Sequence, residues 1–321
     1  MKKLRLFMCM CAALIALSFI TGCNRGGKKG DKIVVGAVLK TLSSPYWQTV
    51  AAGLRAQAEA DNVELILLGP PTEDAVEQQL NMVQDLLTQG VSVLVFSPSQ
   101  PDASVKVLLD AKSKKIPVVL VDTKMQDGFE DYATFIGTTN LTAGEDAAKA
   151  ILAKSIPPAS NVVIIDGAPG NPSTSDRSNG AEEIFKNAGM NVIRQPAYSD
   201  RARALDVMDN VLQSTPDVAA VFAANDDMGM GAYRSLQQKN KTETWVIGVD
   251  AIEDALNIIL AGGKYISLAQ RSYGMGTLSI EAAVKLSKGE PVDKRIDSGT
   301  DMIDSPEKAQ KQKEFLASIL K

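Results

Sequence analysis

Short apolar runs alternate with helical patterns along most of this chain, and this alternation is what most constrains its fold. The apolar runs fall into two series of five, with helical spacing of apolar residues between them. They begin near Ile33, Val63, Ser92, Pro117 and Thr134, and again near Asn161, Asn191, Val218, Trp245 and Tyr265. Corresponding members lie 126 to 131 residues apart. The pattern predicts an α/β fold with two doubly wound parallel sheets of like topology.

The chain is expected to pass between these two halves three times. The first series ends at Phe135-Ile136-Gly137 and the second at Ile266 to Ala269, and a third crossing is expected between Asp293 and Thr300. Three crossing segments would form a three-strand hinge, on which two lobes can close over a ligand. The expected N-terminal lobe comprises residues 31–137 and 270–295. The expected C-terminal lobe comprises residues 138–269 and 296–321.

The N-terminus has the pattern of an export signal. Three basic residues lie within the first five positions, Leu6 to Ile20 is apolar, and Thr21-Gly22-Cys23 follows. The apolar stretch is short for a spanning helix, which needs about 20 residues. Residues 1–22 are therefore predicted to be a cleaved lipoprotein signal peptide. The segment ending at Cys23 resembles a bacterial lipobox, which implies that Cys23 is lipidated.

Lipidation would make the protein extracytoplasmic and anchored to a bacterial membrane, in the periplasm or at the cell surface. Residues 23–32 would be a lipid-anchored linker, because they are rich in glycine and lysine. Of the three cysteines only Cys23 would remain, so no internal disulfide could form. The formal charge of −4 would become −7 when three basic residues leave with the signal. An acidic, exported protein is a poor nucleic-acid binder.

Polar side chains stand where three apolar runs end. Asp122 follows one run, Asn225 another and Asp250 a third. In open parallel sheets ligands bind outside the carboxyl ends of the strands, where the next helix offers free N–H groups. Each residue could instead be only a helix cap or a turn former. The repetition favours a binding site.

Further candidates lie at the starts of two helices. Tyr46 and Trp47 follow the first strand, and an aromatic pair can stack on the C–H face of a sugar ring. The alternative is a hydrophobic staple. Arg177 is expected to open a helix, where its charge opposes the helix dipole, and its fork can donate to two neighbouring hydroxyls. A solvated arginine remains the alternative.

The sequence lacks the residues that several common kinds of catalysis require. There is no histidine, which removes the usual general base, the commonest zinc ligand and the Ser-His and Cys-His arrangements. No phosphate-binding GxxxxGK[ST] loop is present. Paired carboxylates could serve a glycosidase, yet they suit hydrogen bonding to hydroxyls equally well. The expectation is a protein that binds without catalysis and needs no cofactor or metal.

A family resemblance rests on several stretches of the sequence. They are the lipobox, SSPYW, VVLVD, FIGTTN, DRSNG, PDVAAVFAANDDMGMGA, WVIGVD and SLAQ. Together they resemble the ribose-type sugar-binding proteins of ABC importers, over nearly all of residues 31 to 295. The resemblance implies the periplasmic-binding-protein type I fold. It implies a ligand site formed by Ser44, Tyr46, Trp47, Ser97, Asp122, Thr138, Arg177, Asn225, Asp250 and Gln270.

The sequence also departs from the ribose-type pattern. Ser44 and Ser97 stand where such proteins tend to have Asn, and Thr123 stands where they have Arg. Ser199 and Val249 replace aromatic residues. These changes remove a bidentate clamp and part of a stacking sandwich, so they indicate a ligand other than ribose. A larger sugar, a polyol such as inositol or another small polar molecule would fit.

The expected function is therefore that of a monomeric solute-binding lipoprotein. It would capture a sugar or sugar-like polyol between two closing lobes and deliver it to ABC permease subunits. Two alternatives stay open: a sensor that presents its ligand to a chemoreceptor or membrane kinase, and a binder of a non-sugar solute such as a nucleoside. A transcription regulator would need a helix-turn-helix segment, which residues 1–32 do not offer.

Overall fold

The computed structural model describes residues 32 to 320, which fold into twelve strands and ten helices. The strands are β1 (Val34–Val38), β2 (Glu64–Leu68), β3 (Val93–Phe96), β4 (Val118–Val121), β5 (Thr134–Gly137), β6 (Asn161–Asp166), β7 (Asn191–Pro196), β8 (Val218–Ala223), β9 (Trp245–Val249), β10 (Tyr265–Gln270), β11 (Arg295–Asp297) and β12 (Thr300–Ile303). The helices are α1 (Pro45–Ala60), α2 (Val76–Gln89), α3 (Pro101–Ser113), α4 (Asn140–Leu152), α5 (Pro172–Asn187), α6 (Arg201–Ser214), α7 (Asp226–Gln238), α8 (Glu253–Leu260), α9 (Ser272–Ser287) and α10 (Pro306–Ile319). The predicted signal peptide and Cys23 lie outside the described residues.

The strands form two six-stranded sheets of like topology. The first sheet has the order β11-β5-β4-β3-β1-β2, and the second has the order β12-β10-β9-β8-β6-β7. The first is parallel throughout, and β12 runs antiparallel to β10 at the edge of the second. This arrangement confirms the predicted α/β fold of two doubly wound sheets. Each of the ten predicted strands begins within one residue of its expected start.

The composition of the strands explains why both sheets are covered on two faces. Every residue of β3 and of β4 is buried, and these strands consist of Val, Leu and Phe. The edge strands β2 and β7 are only partly buried. Parallel strands with helices on both faces have this apolar character, because neither face meets water. Within residues 32 to 320, none of the helices has the length and apolarity of a membrane span.

The segments that pass between the sheets lie side by side. After β5 the chain enters α4, and after β10 it enters α9, which packs against α1 beside the first sheet. Then β11 pairs with β5 and β12 pairs with β10. The last passage from the first sheet to the second therefore lies between Asp297 and Thr300.

Helix α5 begins earlier than the sequence interpretation assumed. Asn171 caps it, accepting a hydrogen bond of 3.1 Å from the backbone N–H of Ser173, and Pro172 occupies the first turn. Proline suits the first turn because its missing N–H has no partner there in any case. Arg177 consequently lies in the second turn and does not open the helix. The prediction that the charge of Arg177 opposes the helix dipole is therefore wrong, because the dipole effect fades within the first turn.

Glycines allow the helix pairs that cover the sheets to approach closely. A Cβ on Gly53 of α1 would collide with the backbone oxygen of Tyr273 in α9, and one on Gly276 would collide with α1 in return. The pair of α4 and α5 has the same feature, since a Cβ on Gly144 would meet the backbone oxygen of Arg177. The separation within each helix pair is therefore set by backbone contact.

Replacing Gly276 tests this packing. Gly276→Ala should lower the free energy of unfolding by about 1–3 kcal/mol, because the extra methyl group pushes α1 away from α9. Gly274→Ala in the same helix is the matched control, since its Cβ would have no neighbour nearer than 3.9 Å. That control should be neutral or stabilising by up to about 1 kcal/mol. Equal stability of the two variants in urea unfolding would contradict the close-packing account.

Candidate ligand-binding site

A small cavity lies where the carboxyl ends of the two sheets face each other, and its volume is about 30 Å³. Its walls come from the segments after β1, β2, β4, β7, β8 and β9, from the end of β10, and from α1 and α5. Both sheets contribute, so the cavity lies between the two lobes. This is the position at which open α/β sheets bind ligands.

Seven of the ten residues predicted for the site line this cavity. They are Tyr46, Trp47, Asp122, Arg177, Asn225, Asp250 and Gln270. The structure thus brings together residues separated by more than 200 positions in the sequence. Whether each contacts a ligand stays a prediction.

The other three predicted residues lie elsewhere. Ser44 lies in a groove at the edge of the cleft, with its hydroxyl 3.4 Å from Asp227 Oδ2. Ser97 is fully buried behind the end of β3, beside Gln79, which donates to its backbone oxygen. Thr138 lies on a crossing segment, where its hydroxyl is 3.4 Å from that of Ser298. None of the three lines the cavity in this arrangement.

In the first lobe, the carboxylate of Asp122 is fixed by its neighbours. The Tyr46 hydroxyl donates to Oδ1 over 2.7 Å, and the Thr123 hydroxyl donates to Oδ2 over 2.7 Å. Burial, reinforced by Asp122, raises the pKa of Tyr46 well above its usual value, so the phenol stays a donor. Asp122 has a φ of 65°, a left-handed conformation that is uncommon outside glycine. Such strain is often found at functional sites.

The aromatic pair forms both the core and the cavity wall. Tyr46 and Trp47 meet edge to face, with ring centroids 4.9 Å apart, and both belong to the core of the first lobe. Trp47 Nε1 donates to Glu73 over 2.6 Å. Burial raises the pKa of Glu73. The pair therefore presents a rigid apolar surface to the cavity, and its orientation is fixed by packing and by one hydrogen bond.

In the second lobe, a buried guanidinium faces the cavity. Arg177 is 3% exposed, and it donates from Nε to Asn140 Oδ1 over 2.7 Å and from Nη1 to the backbone oxygen of Ala224 over 2.8 Å. Both acceptors are uncharged. The guanidinium is thus held in place while its positive charge remains directed at the cavity.

Asp250 and Gln270 form a second polar pair on this side. Gln270 Nε2 donates to Asp250 Oδ1 over 2.7 Å, while Gln270 Oε1 is buried without a partner in the described part of the chain. Burial is the main cause that raises the pKa of Asp250 well above its ordinary value, against the lowering effect of Arg177. Asp250 also has a positive φ, of 121°. The unpaired Gln270 oxygen and the Asp250 carboxylate can both accept hydrogen bonds, so this side of the cavity suits a ligand with hydroxyl donors.

The three polar residues after β8 have different roles. Asn225 lines the cavity and caps α7, accepting from the backbone N–H of Met228 over 2.9 Å. Asp226 is fully buried and accepts from the hydroxyls of Tyr265 and Ser267 and from a backbone N–H. Its pKa is raised to about 6, chiefly by burial. Asp226 therefore supports the fold beneath the site.

Five cavity residues were not predicted as ligand contacts. They are Lys40, Glu73, Ser173, Thr174 and Ser199. Lys40 follows β1 by two positions, so the strand-end rule could have found it had the rule included basic residues. Glu73 lies in the loop between β2 and α2, and no local pattern indicates that this loop folds towards Trp47.

The two lobes are in contact around the cavity. The hydroxyls of Thr123 and Ser173 lie 2.8 Å apart, and Lys124 forms an ion pair with Asp176 over 3.2 Å. The cavity is bounded by hydroxyls, carboxylates, cationic donors and an aromatic wall. Such an arrangement can hold a small polar molecule by hydrogen bonds and stacking. No group of His, Cys, Asp and Glu suited to a metal ion occurs within residues 32 to 320.

Comparison with known proteins identifies the family. The sequence profile of the periplasmic binding protein domain matches residues 35–291. This chain belongs to the periplasmic binding protein family. Membership makes it a solute-binding protein and not an enzyme.

Individual members of the periplasmic binding protein family match nearly the whole chain. The ribose import binding protein of Salmonella typhimurium is 32% identical over 293 residues, which are 91% of this chain and 95% of that protein. The D-allose-binding periplasmic protein of Escherichia coli is 33% identical over 268 residues, covering 80% of this chain and 86% of that one. An Agrobacterium vitis ABC transporter solute-binding protein with bound D-fucose superposes with a TM-score of 0.81, at 29% identity, covering 84% and 94% of the two chains.

The structural role of Asp226 can be tested by stability. Asp226→Ala should lower the free energy of unfolding by about 2–4 kcal/mol, because buried donors lose their acceptor. Asp227→Ala is the matched control, since Asp227 forms its ion pair with Arg201 nearer the surface. The control should cost less than about 1 kcal/mol. If chemical unfolding shows similar losses of unfolding free energy for both variants, the structural role of Asp226 is contradicted.

Proposed function

We propose that this protein captures a sugar or sugar-like polyol between its two lobes and presents it to the permease subunits of an ABC importer. The observation that carries the proposal is the cavity between the carboxyl ends of the two sheets. There, donors and acceptors from both lobes meet an aromatic wall. A polyol offers the complementary surface, because its hydroxyls donate and accept while its C–H face is apolar.

Each lobe would contribute a distinct set of contacts. Asp122 in the first lobe and Asp250 in the second would accept hydrogen bonds from hydroxyls of the ligand. Arg177 would donate to one or two oxygens, and the Tyr46–Trp47 pair would pack against the carbon skeleton. Charge-assisted hydrogen bonds are stronger than neutral ones, so these few groups could supply most of the affinity.

Movement of the lobes would admit the ligand. A cavity of about 30 Å³ accommodates the centres of only one or two water molecules, so a sugar cannot enter this arrangement without separation of the walls. The three adjacent crossing segments would be the hinge. The contacts Thr123–Ser173 and Lys124–Asp176 join the lobes and would break on opening. A permease could then recognise the closed pair of lobes as a sign of bound solute.

The ligand is proposed to differ from ribose. Thr123 and Ser199 hold positions where ribose-type proteins have an arginine and an aromatic residue, and Thr123 already donates to Asp122. Relatives named for ribose and D-allose and a solved structure with D-fucose indicate the chemical range. A neutral pentose, hexose or polyol is the proposed class.

The N-terminal segment would hold the protein at a membrane. We propose that residues 1–22 are removed and that Cys23 carries the lipid, with residues 24–32 as the tether. More than one acyl chain gives stable attachment where a single chain does not. Labelling with a radioactive fatty acid in cells tests this, with Cys23→Ser as the control that should lose the label.

A thermal-shift screen tests the binding proposal. Residues 24–321 are heated with D-ribose, D-allose, D-fucose, xylitol or myo-inositol at millimolar concentration. A ligand at 1,000 times its dissociation constant adds about 4 kcal/mol, so a true ligand should raise the melting temperature by several degrees. Asp250→Ala should abolish the shift with little loss of stability, while Asp254→Ala, at an exposed carboxylate in α8, should keep it. No shift with any of these solutes would refute the sugar assignment.

The raised pKa of Asp250 predicts a pH dependence of affinity. Hydroxyl donors favour the ionised carboxylate, so a bound ligand should lower this pKa and release a proton. The association constant should therefore rise with pH until the pKa of the ligand-free carboxyl is passed, and then level off. Isothermal titration in two buffers of different ionisation enthalpy measures the released proton. Asp250→Asn should bind more weakly with a flatter pH profile; an unchanged profile would assign the proton to another group.

A further inference from the structure

A second and larger pocket, here called the outer pocket, adjoins the ligand cavity. Its volume is about 360 Å³, compared with about 30 Å³ for the cavity. The first residues of α1 form its wall in the first lobe, and the segment after β9, α8 and the second half of α10 form its walls in the second. Tyr46 and Asp250 line both spaces, one residue from each lobe. The outer pocket and the cavity therefore share part of their walls.

Polar contacts between the lobes lie on other sides of the cavity. At the groove beside Ser44, its hydroxyl lies 3.4 Å from Asp227 Oδ2, and Arg203 Nη2 donates to Asp74 Oδ2 over 3.4 Å. The two interlobe contacts described above lie on the α5 side. Within residues 32 to 320, no hydrogen bond or ion pair joins α1 to α8 or α10, because the polar side chains of α1 bond elsewhere. A ligand group can therefore extend into the outer pocket without breaking a polar contact between the lobes.

The charged groups around the outer pocket are already paired with one another or with their neighbours. Lys313 Nζ lies 3.3 Å from Glu253 Oε1 and donates to Asn257 over 2.7 Å. Asp254 is paired with Arg201 over 2.7 Å. Much of the remaining wall is apolar and comes from Pro45, Ile252, Leu316, Ala317 and Leu320. A charged group would have to displace one of these ion pairs, so the outer pocket suits an uncharged apolar group.

Helix α10 gives the outer pocket a defined outer wall, because it contacts both lobes. The ring of Phe315 meets that of Tyr273 in α9 edge to face, with centroids 5.9 Å apart. On the other side, Leu316 packs against the core of the second lobe. Pockets for small molecules have volumes of about 300 to 1,000 Å³, and the outer pocket falls within this range. An aromatic ring or a short alkyl chain would fit it.

We infer that the outer pocket is a second compartment of the ligand site, which takes an uncharged apolar substituent of the sugar or polyol held in the cavity. The ligand class is then a glycoside or ether with an alkyl or aryl group. The inference rests on the proposed function and narrows its ligand. Burial of the substituent adds affinity because it removes apolar surface from water.

Matched glycosides test this second compartment. Isothermal titration compares the methyl and phenyl glycosides of D-allose, D-fucose and D-ribose, each as both anomers, with the free sugars. The methyl glycoside controls for loss of the anomeric hydroxyl. For a sugar that binds, one phenyl anomer should bind about 3- to 30-fold more tightly than the methyl glycoside of the same anomer, because the ring leaves water. The other anomer directs its ring elsewhere and should show no such gain.

Two variants of α10 locate the substituent. Ala317→Glu brings bulk and a charge to the apolar wall, so the advantage of the phenyl over the methyl glycoside should disappear. Ser318→Glu is the matched control, since it adds the same charge at the next exposed position, which does not line the outer pocket. The control should keep the phenyl advantage. Cooperative melting is checked first, and Ala317→Gln replaces Ala317→Glu if that variant fails to fold.

The outcomes separate this inference from the proposed function. If free sugars bind but no phenyl glycoside binds better than its methyl counterpart, the inference alone is overturned. A phenyl advantage that survives in the Ala317 variant also overturns it, because the ring would then lie outside the outer pocket. If the wild type binds none of the sugars or glycosides, the proposed sugar binding fails and the inference fails with it. Binding of a phenyl glycoside without binding of its free sugar would support both.

Discussion

Parallel strand pairing is the constraint on which the site depends, because it brings the carboxyl ends of neighbouring strands to one edge of each sheet. Asp122 follows β4 and Asp250 follows β9, so each stands at such an edge although they are far apart in the sequence. The three crossing segments then set the two edges opposite each other. A cavity lined by both sheets follows from this topology before any side chain is chosen.

The sequence predicted the elements well because their signals are local. The apolar runs bounded by turns predicted the first residue of each of ten strands to within one position. The repeated spacing of these runs predicted two sheets. Helix α5 begins before the position expected from Arg177, because Asn171 caps it and Pro172 occupies its first turn. Seven cavity residues were found because they stand at strand ends or resemble a family motif. Glu73 could not be found, since its position depends on how a loop packs against Trp47.

A local sequence pattern does not distinguish the roles of three adjacent residues, Asn225, Asp226 and Asp227. Sequence assigns all three to a polar turn after β8. In the structure the first lines the cavity, the second is buried under Tyr265 and Ser267, and the third pairs with Arg201. The helical turn points successive side chains about 100° apart, so adjacent residues meet different surroundings. The hydrogen bonds that Tyr265 and Ser267 of β10 donate to Asp226 distinguish this structural carboxylate from its neighbours.

Lys40 supplies a positive charge close to a position where the sequence departs from the ribose-type pattern. Loss of an arginine at position 123 removes a cation beside Asp122, yet Lys40 brings a positive charge to within 3.6 Å of the same carboxylate from the end of β1. A positive charge therefore lies beside Asp122 in this structure, and Lys40 supplies it. An ammonium is a point charge with rotatable donors, whereas a guanidinium is a fixed planar fork. The wall beside Asp122 therefore holds a point charge in place of a planar fork, so it would constrain the angle between two neighbouring ligand oxygens less than an arginine would.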